Sequence, residues 1–122
     1  MTGLYAVGLI GSHGYAHLSA VRDLVSVLCT VRPTLHLLTR SGRSSVDRTV
    51  RREARRHGAR LKVVRPMPLK AGLRPKLSPE YELVAQAREV HAFWDGRSAG
   101  TLHAIALARA SGVPVHVHGL IE

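Results

Sequence analysis

The sequence predicts a three-layer α/β/α fold around a parallel sheet of about five strands. Three observations carry this reading. Short apolar runs alternate with segments of helical periodicity along the chain. The runs are nearly continuous in apolar residues, the pattern of strands covered on both faces. The length, 122 residues, suits a single domain that buries a core without needing a disulfide or metal. Residues 1–122 are therefore expected to form one domain.

Residues 4–10 make the first strand, ended by Gly11-Ser12-His13-Gly14. Leu18, Val21, Leu24, Val25 and Leu28 then recur at helical spacing, and Pro33 bars that helix from continuing. The second strand covers 35–38. Ser44 or Ser45 can cap the second helix, Asp47 suits its positive first turn, and Gly58 follows as a stop. Val46, Val50 and Ala54 form its apolar face. The third strand covers 61–64. Pro66, Pro68 and Pro75 make the next segment a loop, and Pro79 opens a helix to about Ala87. The fourth strand covers 90–94. A helix over 99–110 carries Leu102, Ile105, Ala106 and Arg109 at helical spacing, and Gly112 stops it. The last strand covers 114–117. Strands alternating with helices in so short a chain indicate right-handed parallel βαβ units, a Rossmann-like arrangement.

Ligands in such sheets bind beyond the carboxyl ends of the strands. Three loops belong there: 11–17, 39–45 and 95–101. In the last, Gly96 and Gly100 permit close backbone approach, Ser98 and Thr101 offer hydroxyls, and Arg97 offers a charged fork. The helix after it aims unpaired N–H groups at the same place, which suits phosphate or carboxylate. A plain strand-to-helix turn with a serine cap accounts for the same residues. Loop 11–17 contributes Gly11, Ser12 and His13, and Tyr15 either stacks on a base or packs over the sheet edge. Loop 39–45, with Arg40, Ser41, Gly42, Arg43 and Ser44, is rich in hydroxyls and arginine, as an anion nest or a solvated turn would be.

Eighteen Lys and Arg oppose eight Asp and Glu, a net charge of +10, which favours anionic partners. Thirteen of the eighteen lie between Arg40 and Lys76. Arg48, Arg51, Arg52 and Arg55 are expected on the face of the second helix opposite its apolar stripe. That surface is an alternative, nucleic-acid-binding site, or an ordinary solvated helix face. The single cysteine, Cys29, allows no intramolecular disulfide. The start shows no signal-peptide pattern, and no apolar run approaches the roughly 18 residues of a membrane span. A cytoplasmic protein without a membrane partner is expected. His116 and His118 share one strand face, and His13 and His17 fall one turn apart if the first helix starts early. Spacing fixes no third ligand, no CxxC or HExxH is present, and no metal is expected.

The segment Ala92-Phe93-Trp94-Asp95-Gly96-Arg97-Ser98-x-Gly100-Thr101-x-His103 resembles the signature of small proteins of the SLOG superfamily (the SMF/DprA and LOG group), nearest to the stand-alone YspA-like branch. Gly11-Ser12 is similar to the start of that branch's G-S-R turn. Ala71-Gly72-x-Arg74 is similar to its A-G-x-x-R-N stretch, and Gly112-Val113-Pro114 to its entry to the last strand. The resemblance implies a Rossmann-like fold that binds a nucleotide or nucleotide-derived ligand. The ligand-binding residues would be Gly11, Ser12, His13, Ser41, Gly42, Arg43, Asp47, Asp95, Gly96, Arg97, Ser98, Gly100 and Thr101. Asp95 would accept from a ribose hydroxyl or brace its loop. Departures from the pattern are His13 for the arginine of G-S-R, Ser41 and Ser45 for two glycines of the second loop, and Pro75 after Arg74. LOG phosphoribohydrolases carry a glutamate where this chain has Ala104, so hydrolysis of that kind is not expected. A hydrolase acting on a nucleotide-derived ligand would draw on Asp47, Asp95 or His103 for proton transfer. Relatives of this fold self-associate, and a homodimer is expected.

Overall fold

The computed structural model describes residues 3–65 and 79–119. The proline-rich loop and the Ala71-Gly72-x-Arg74 stretch lie outside the described residues. Nine elements follow in the order β1 (Tyr5–Gly11), α1 (Leu18–Val31), β2 (Leu35–Arg40), α2 (Ser45–Arg56), β3 (Arg60–Val64), α3 (Pro79–Gln86), β4 (Glu89–Phe93), α4 (Ala99–Ala110) and β5 (Val115–His118). The five strands form one parallel sheet in the order β3-β2-β1-β4-β5. This is the Rossmann-like α/β architecture expected from the sequence. The chain moves outward from β1 through β2 to β3, then returns to place β4 on the other side of β1. The crevice between those two directions, at the strand carboxyl ends, is where such folds bind ligands.

Strand alternation divides the core in two. Val7, Leu9, Leu37 and Phe93 face α1 and α2, where Val21, Val25, Val46, Val50 and Ala54 meet them. Ile10, Leu38, Val90 and Ala92 face α3 and α4, against Leu83, Val84, Ala104, Ile105 and Ala108. Tyr15 belongs to the first cluster. It is buried edge-on against Phe93, ring centroids 5.4 Å apart, so it packs rather than presenting a face to a ligand.

Local signals set the helix ends. Ser44 caps α2 by accepting the Asp47 amide at 3.0 Å, and Ser98 caps α4. Gly58 takes φ +65° just beyond α2, a conformation that suits glycine at a helix stop. The first helix begins at Leu18, where its apolar periodicity begins, so His13 and His17 do not share a helical face. One detail differs from the sequence expectation. In α4 the buried positions are Thr101, Ala104, Ile105 and Ala108, while Leu102 and Ala106 face outward. The small side chains let the helix axis approach the sheet, and that close packing outweighs burial of one leucine. No helix among the described residues is long and apolar enough to cross a membrane.

Candidate functional site

All three loops predicted from the sequence lie at the carboxyl ends of the strands. Together with the start of α3 they frame a cleft of about 270 Å³. It is lined by Gly11 and His13 after β1, by Arg40, Ser41, Gly42, Arg43, Ser44 and Asp47 around the β2–α2 junction, by Pro79 and Glu80 of α3, and by Ser98 before α4. The amino ends of α2, α3 and α4 therefore border one space. First-turn amides without intrahelical partners, and the positive ends of the helix dipoles, favour an anionic group there.

At the base of the cleft lies a charge cluster. Arg40 ends β2, and its Nη2 donates to the Gly11 carbonyl at 2.7 Å. The same guanidinium stands 3.4 Å from Asp47 Oδ2 and 3.4 Å from Glu80 Oε1. Arg51, in the second turn of α2, donates from Nη1 to the Arg40 carbonyl at 2.8 Å and secures the end of β2. Asp47 is fully buried, yet among the described residues neither of its carboxylate oxygens has a hydrogen-bond partner. Burial raises its pKa above the ordinary carboxylate value, against the opposing pull of Arg40. Gly42 covers it so closely that a Cβ there would stand 2.9 Å from Oδ2. A buried carboxylate short of donors, beside a held guanidinium, can take hydroxyl or amino groups from a ligand.

Loop 95–101 is built around Asp95. Its Oδ1 accepts the amides of Arg97 and Ser98, each at 2.8 Å, and these bonds hold its carboxyl below the usual carboxylate range. Gly96 turns the chain between them at φ +82°. Trp94 closes the loop from Nε1 onto the Ser98 carbonyl at 3.1 Å. Ser12 ties this loop to the first one. Its hydroxyl donates to Thr101 Oγ1 at 3.2 Å and accepts the Asp95 amide at 3.2 Å. Ser12→Ala should therefore lower folding stability by about 1–2 kcal/mol, because it removes the acceptor of the Asp95 amide and leaves buried Thr101 with Ser98 Oγ as its remaining hydroxyl partner. Urea denaturation measures the loss, and an unchanged midpoint would show that Ser12 does not join the loops.

Of the residues expected to bind ligand, Gly11, His13, Ser41, Gly42, Arg43, Asp47 and Ser98 line the cleft. Ser12, Asp95 and Thr101 instead hold the loops together. Gly96 and Arg97 are exposed outside the cleft lining. Gly100 abuts the charge cluster, since a Cβ there would lie 3.0 Å from Glu80 Oε1. Arg40 was expected only as part of an anion nest or solvated turn, not in contact with carboxylates, and Glu80 was not among the expected site residues. Arg40 had a signal, a cation at the end of a buried strand, whereas Glu80 follows the proline-rich loop and nothing local marks it. The four-arginine stripe on α2 is also revised. Arg48, Arg52 and Arg55 are exposed, but Arg51 turns inward to the Arg40 carbonyl.

Two other regions stand out. A larger depression of about 430 Å³ involves Cys29, Arg32, Pro33, Leu35, His57 and Arg60. It lies at the amino ends of β2 and β3 and the carboxyl ends of α1 and α2, so no helix amino terminus points into it. On β4 and β5, His91, His116 and His118 stack on one sheet face. Burial, with the charges of His116 and His118, pushes the His91 pKa down to about 4, so its imidazole is neutral at physiological pH.

No protein-family model matches the chain, nor does the sequence of any curated protein. Among solved structures it is similar to the molybdenum cofactor carrier protein of Chlamydomonas reinhardtii. One structure of that protein gives a TM-score of 0.74 at 20% sequence identity, over 96% of this chain and 78% of the carrier. A second gives a TM-score of 0.71 at 16% identity over the same shares. At these identities the likeness establishes the fold.

Proposed function

We propose that this protein binds a phosphorylated, nucleotide-type small molecule in the cleft between the loops after β1, β2 and β4. The observation that carries the reading is Asp47, buried at the base of the cleft with two carboxylate oxygens lacking donors. A ribose supplies two neighbouring hydroxyls that suit such a carboxylate. The phosphate would sit nearer the solvent, toward Arg43 and the first turns of α2 and α4. The SLOG resemblance of residues 92–103 points to the same ligand class. That the structural neighbours carry a small-molecule cofactor supports a binding role over turnover. Within the cleft, Asp47 lies 3.4 Å from the Arg40 guanidinium, a cation that does not give up its proton. Asp95 is committed to two backbone amides, His103 lies exposed on α4, and Ala104 is buried in the core. No pair suited to proton transfer is assembled among these residues.

Calorimetry with AMP, ribose 5-phosphate, inorganic phosphate and the molybdenum cofactor tests the proposal. AMP or ribose 5-phosphate should bind more tightly than phosphate alone. Asp47→Asn should weaken that binding about tenfold or more, through loss of charge-assisted hydrogen bonds. Arg43→Ala should weaken phosphate and nucleotide alike. If no sugar phosphate binds, or if Asp47→Asn leaves affinity unchanged, the reading fails. Preference for the molybdenum cofactor alone would replace the nucleotide with that ligand.

A further inference from the structure

The geometry points to a second site, for a divalent transition-metal ion of the zinc class, held by Glu89, His91 and His116 on the side of β4 and β5 that α1 and α2 share. Its position follows from strand geometry. Glu89 and His91 are two residues apart on β4, so their side chains leave the same face of the sheet. His116 is the direct register partner of His91 on β5 and shares that face. On this side α2 packs over β1, β2 and β3, and His116 remains exposed to solvent. Glu89 opens β4, at the end away from Asp95, and His91 is its middle residue. The site is therefore separate from the cleft and independent of the ligand proposed there.

One ligand atom from each of the three residues lies within 4.8 Å of the others. His91 Nε2 stands 3.5 Å from Glu89 Oε1. The His91 side chain is nine-tenths buried, yet among the described residues its Nε2 has no hydrogen-bond partner. Its other nitrogen is occupied, with Nδ1 3.0 Å from His118 Nε2. When Nδ1–H donates to His118, the lone pair falls on Nε2 and faces Glu89. Outer hydrogen bonds of this type orient metal-bound histidines. Glu89 is held likewise, because the Tyr5 hydroxyl donates to Oε2 at 3.2 Å and leaves Oε1 toward His91.

Two imidazole nitrogens and one carboxylate suit Zn²⁺ or Co²⁺ better than Mg²⁺ or Ca²⁺, which prefer oxygen ligands alone. Metal–ligand distances of about 2.0–2.2 Å bring tetrahedral ligand atoms to roughly 3.3–3.6 Å of one another, a separation Glu89 Oε1 and His91 Nε2 already have. The third ligand must therefore draw in toward this pair. His116, exposed and stacked on His91 at 4.7 Å between ring centroids, is the one free to swing inward. Three protein ligands leave at least one coordination position open to water or another small donor.

The test uses the full chain freed of metal by a chelator, titrated with Zn²⁺ by calorimetry and with Co²⁺ by visible absorption. One equivalent of Zn²⁺ should bind, and Co²⁺ should give the intense visible bands of low coordination number. His116→Ala and Glu89→Gln should each weaken Zn²⁺ binding roughly tenfold or more, with the far-ultraviolet circular dichroism unchanged. His103→Ala, an exposed histidine on α4, should bind Zn²⁺ as the parent does. Unchanged affinity in both His116→Ala and Glu89→Gln would overturn the assignment. So would an equal loss in His103→Ala, the mark of scattered surface histidines, or a folded parent that binds neither metal.

Discussion

Replacing Arg40 with methionine is expected to lower folding stability by about 3 kcal/mol at neutral pH, and by distinctly less near pH 4. The guanidinium is the sole cation within 4 Å of Asp47 and Glu80 among the described residues, and its side chain is only 15% exposed. Methionine fills similar space but leaves a buried carboxylate with no compensating charge. The sign of the pH dependence follows from Asp47. Burial already raises its folded-state pKa above that of the unfolded chain, and Arg40 opposes the rise. Without Arg40 the folded pKa climbs further. The folded variant then holds its proton more tightly than the unfolded chain, and it gains stability as pH falls through that raised pKa toward the unfolded value. Urea denaturation of parent and variant at neutral and mildly acid pH measures both effects. Asp47→Asn in the Arg40→Met background should recover most of the loss and abolish its pH dependence. A loss equal at both pH values, and not recovered in the double variant, would mean that Arg40 acts by packing and not by neutralising Asp47.

The second large effect is expected at Gly11, where β1 ends under the first turn of α2. A Cβ there would lie 2.4 Å from the Val46 Cβ and 2.5 Å from each of its methyl carbons. Val46 is fully buried, and its branched side chain has one strongly preferred rotamer in a helix. Relief therefore requires α2 to move off the sheet. Gly11→Ala should cost about 2–3 kcal/mol in a urea titration. Because α2 carries Ser44 and Asp47 at its start, the substitution should also weaken ligand binding in the cleft. Gly8→Ala is a useful contrast. Its shortest contact, 2.5 Å, is with the Leu83 Cδ2, the end of a longer side chain that can turn away, so its cost should be clearly smaller. Val46→Ala removes the two methyl carbons but keeps the Cβ, so it should restore only part of the stability lost in Gly11→Ala, a coupling that a double-mutant cycle reads directly. Additive losses in that cycle would show that the two side chains do not compete for the same space.

Much of this architecture was legible in the chain because its signals are local. The apolar runs, the serine caps at Ser44 and Ser98, and the stop at Gly58 act through neighbours a few residues away. They placed the elements to within a residue or two at most boundaries. The loop after β4 was legible for the same reason, since Asp95, Gly96 and Ser98 form their turn among themselves. Its role was less so. Asp95 and Thr101 offer suitable groups for a ligand in the sequence, but the fold turns Asp95 onto the amides of its own loop and buries Thr101 against Ser12. In α4, Leu102 carried as clear a hydrophobic signal as Ile105 and nevertheless faces solvent, because the alanines allow the closest approach to the sheet.

By itself the sequence determined the class of the fold, the order of its elements and the end of the sheet where ligand-binding loops gather. Those follow from the periods of strand and helix and from the right-handed connection between parallel strands. Only the tertiary structure decided which side chains meet. It set Arg40 between Asp47 and Glu80, and it brought His116 beside His91 and Glu89. Both groupings depend on strand register and on the seating of helices against the sheet. Register and seating are settled when distant segments pack their side chains together, so no stretch of sequence read alone contains them.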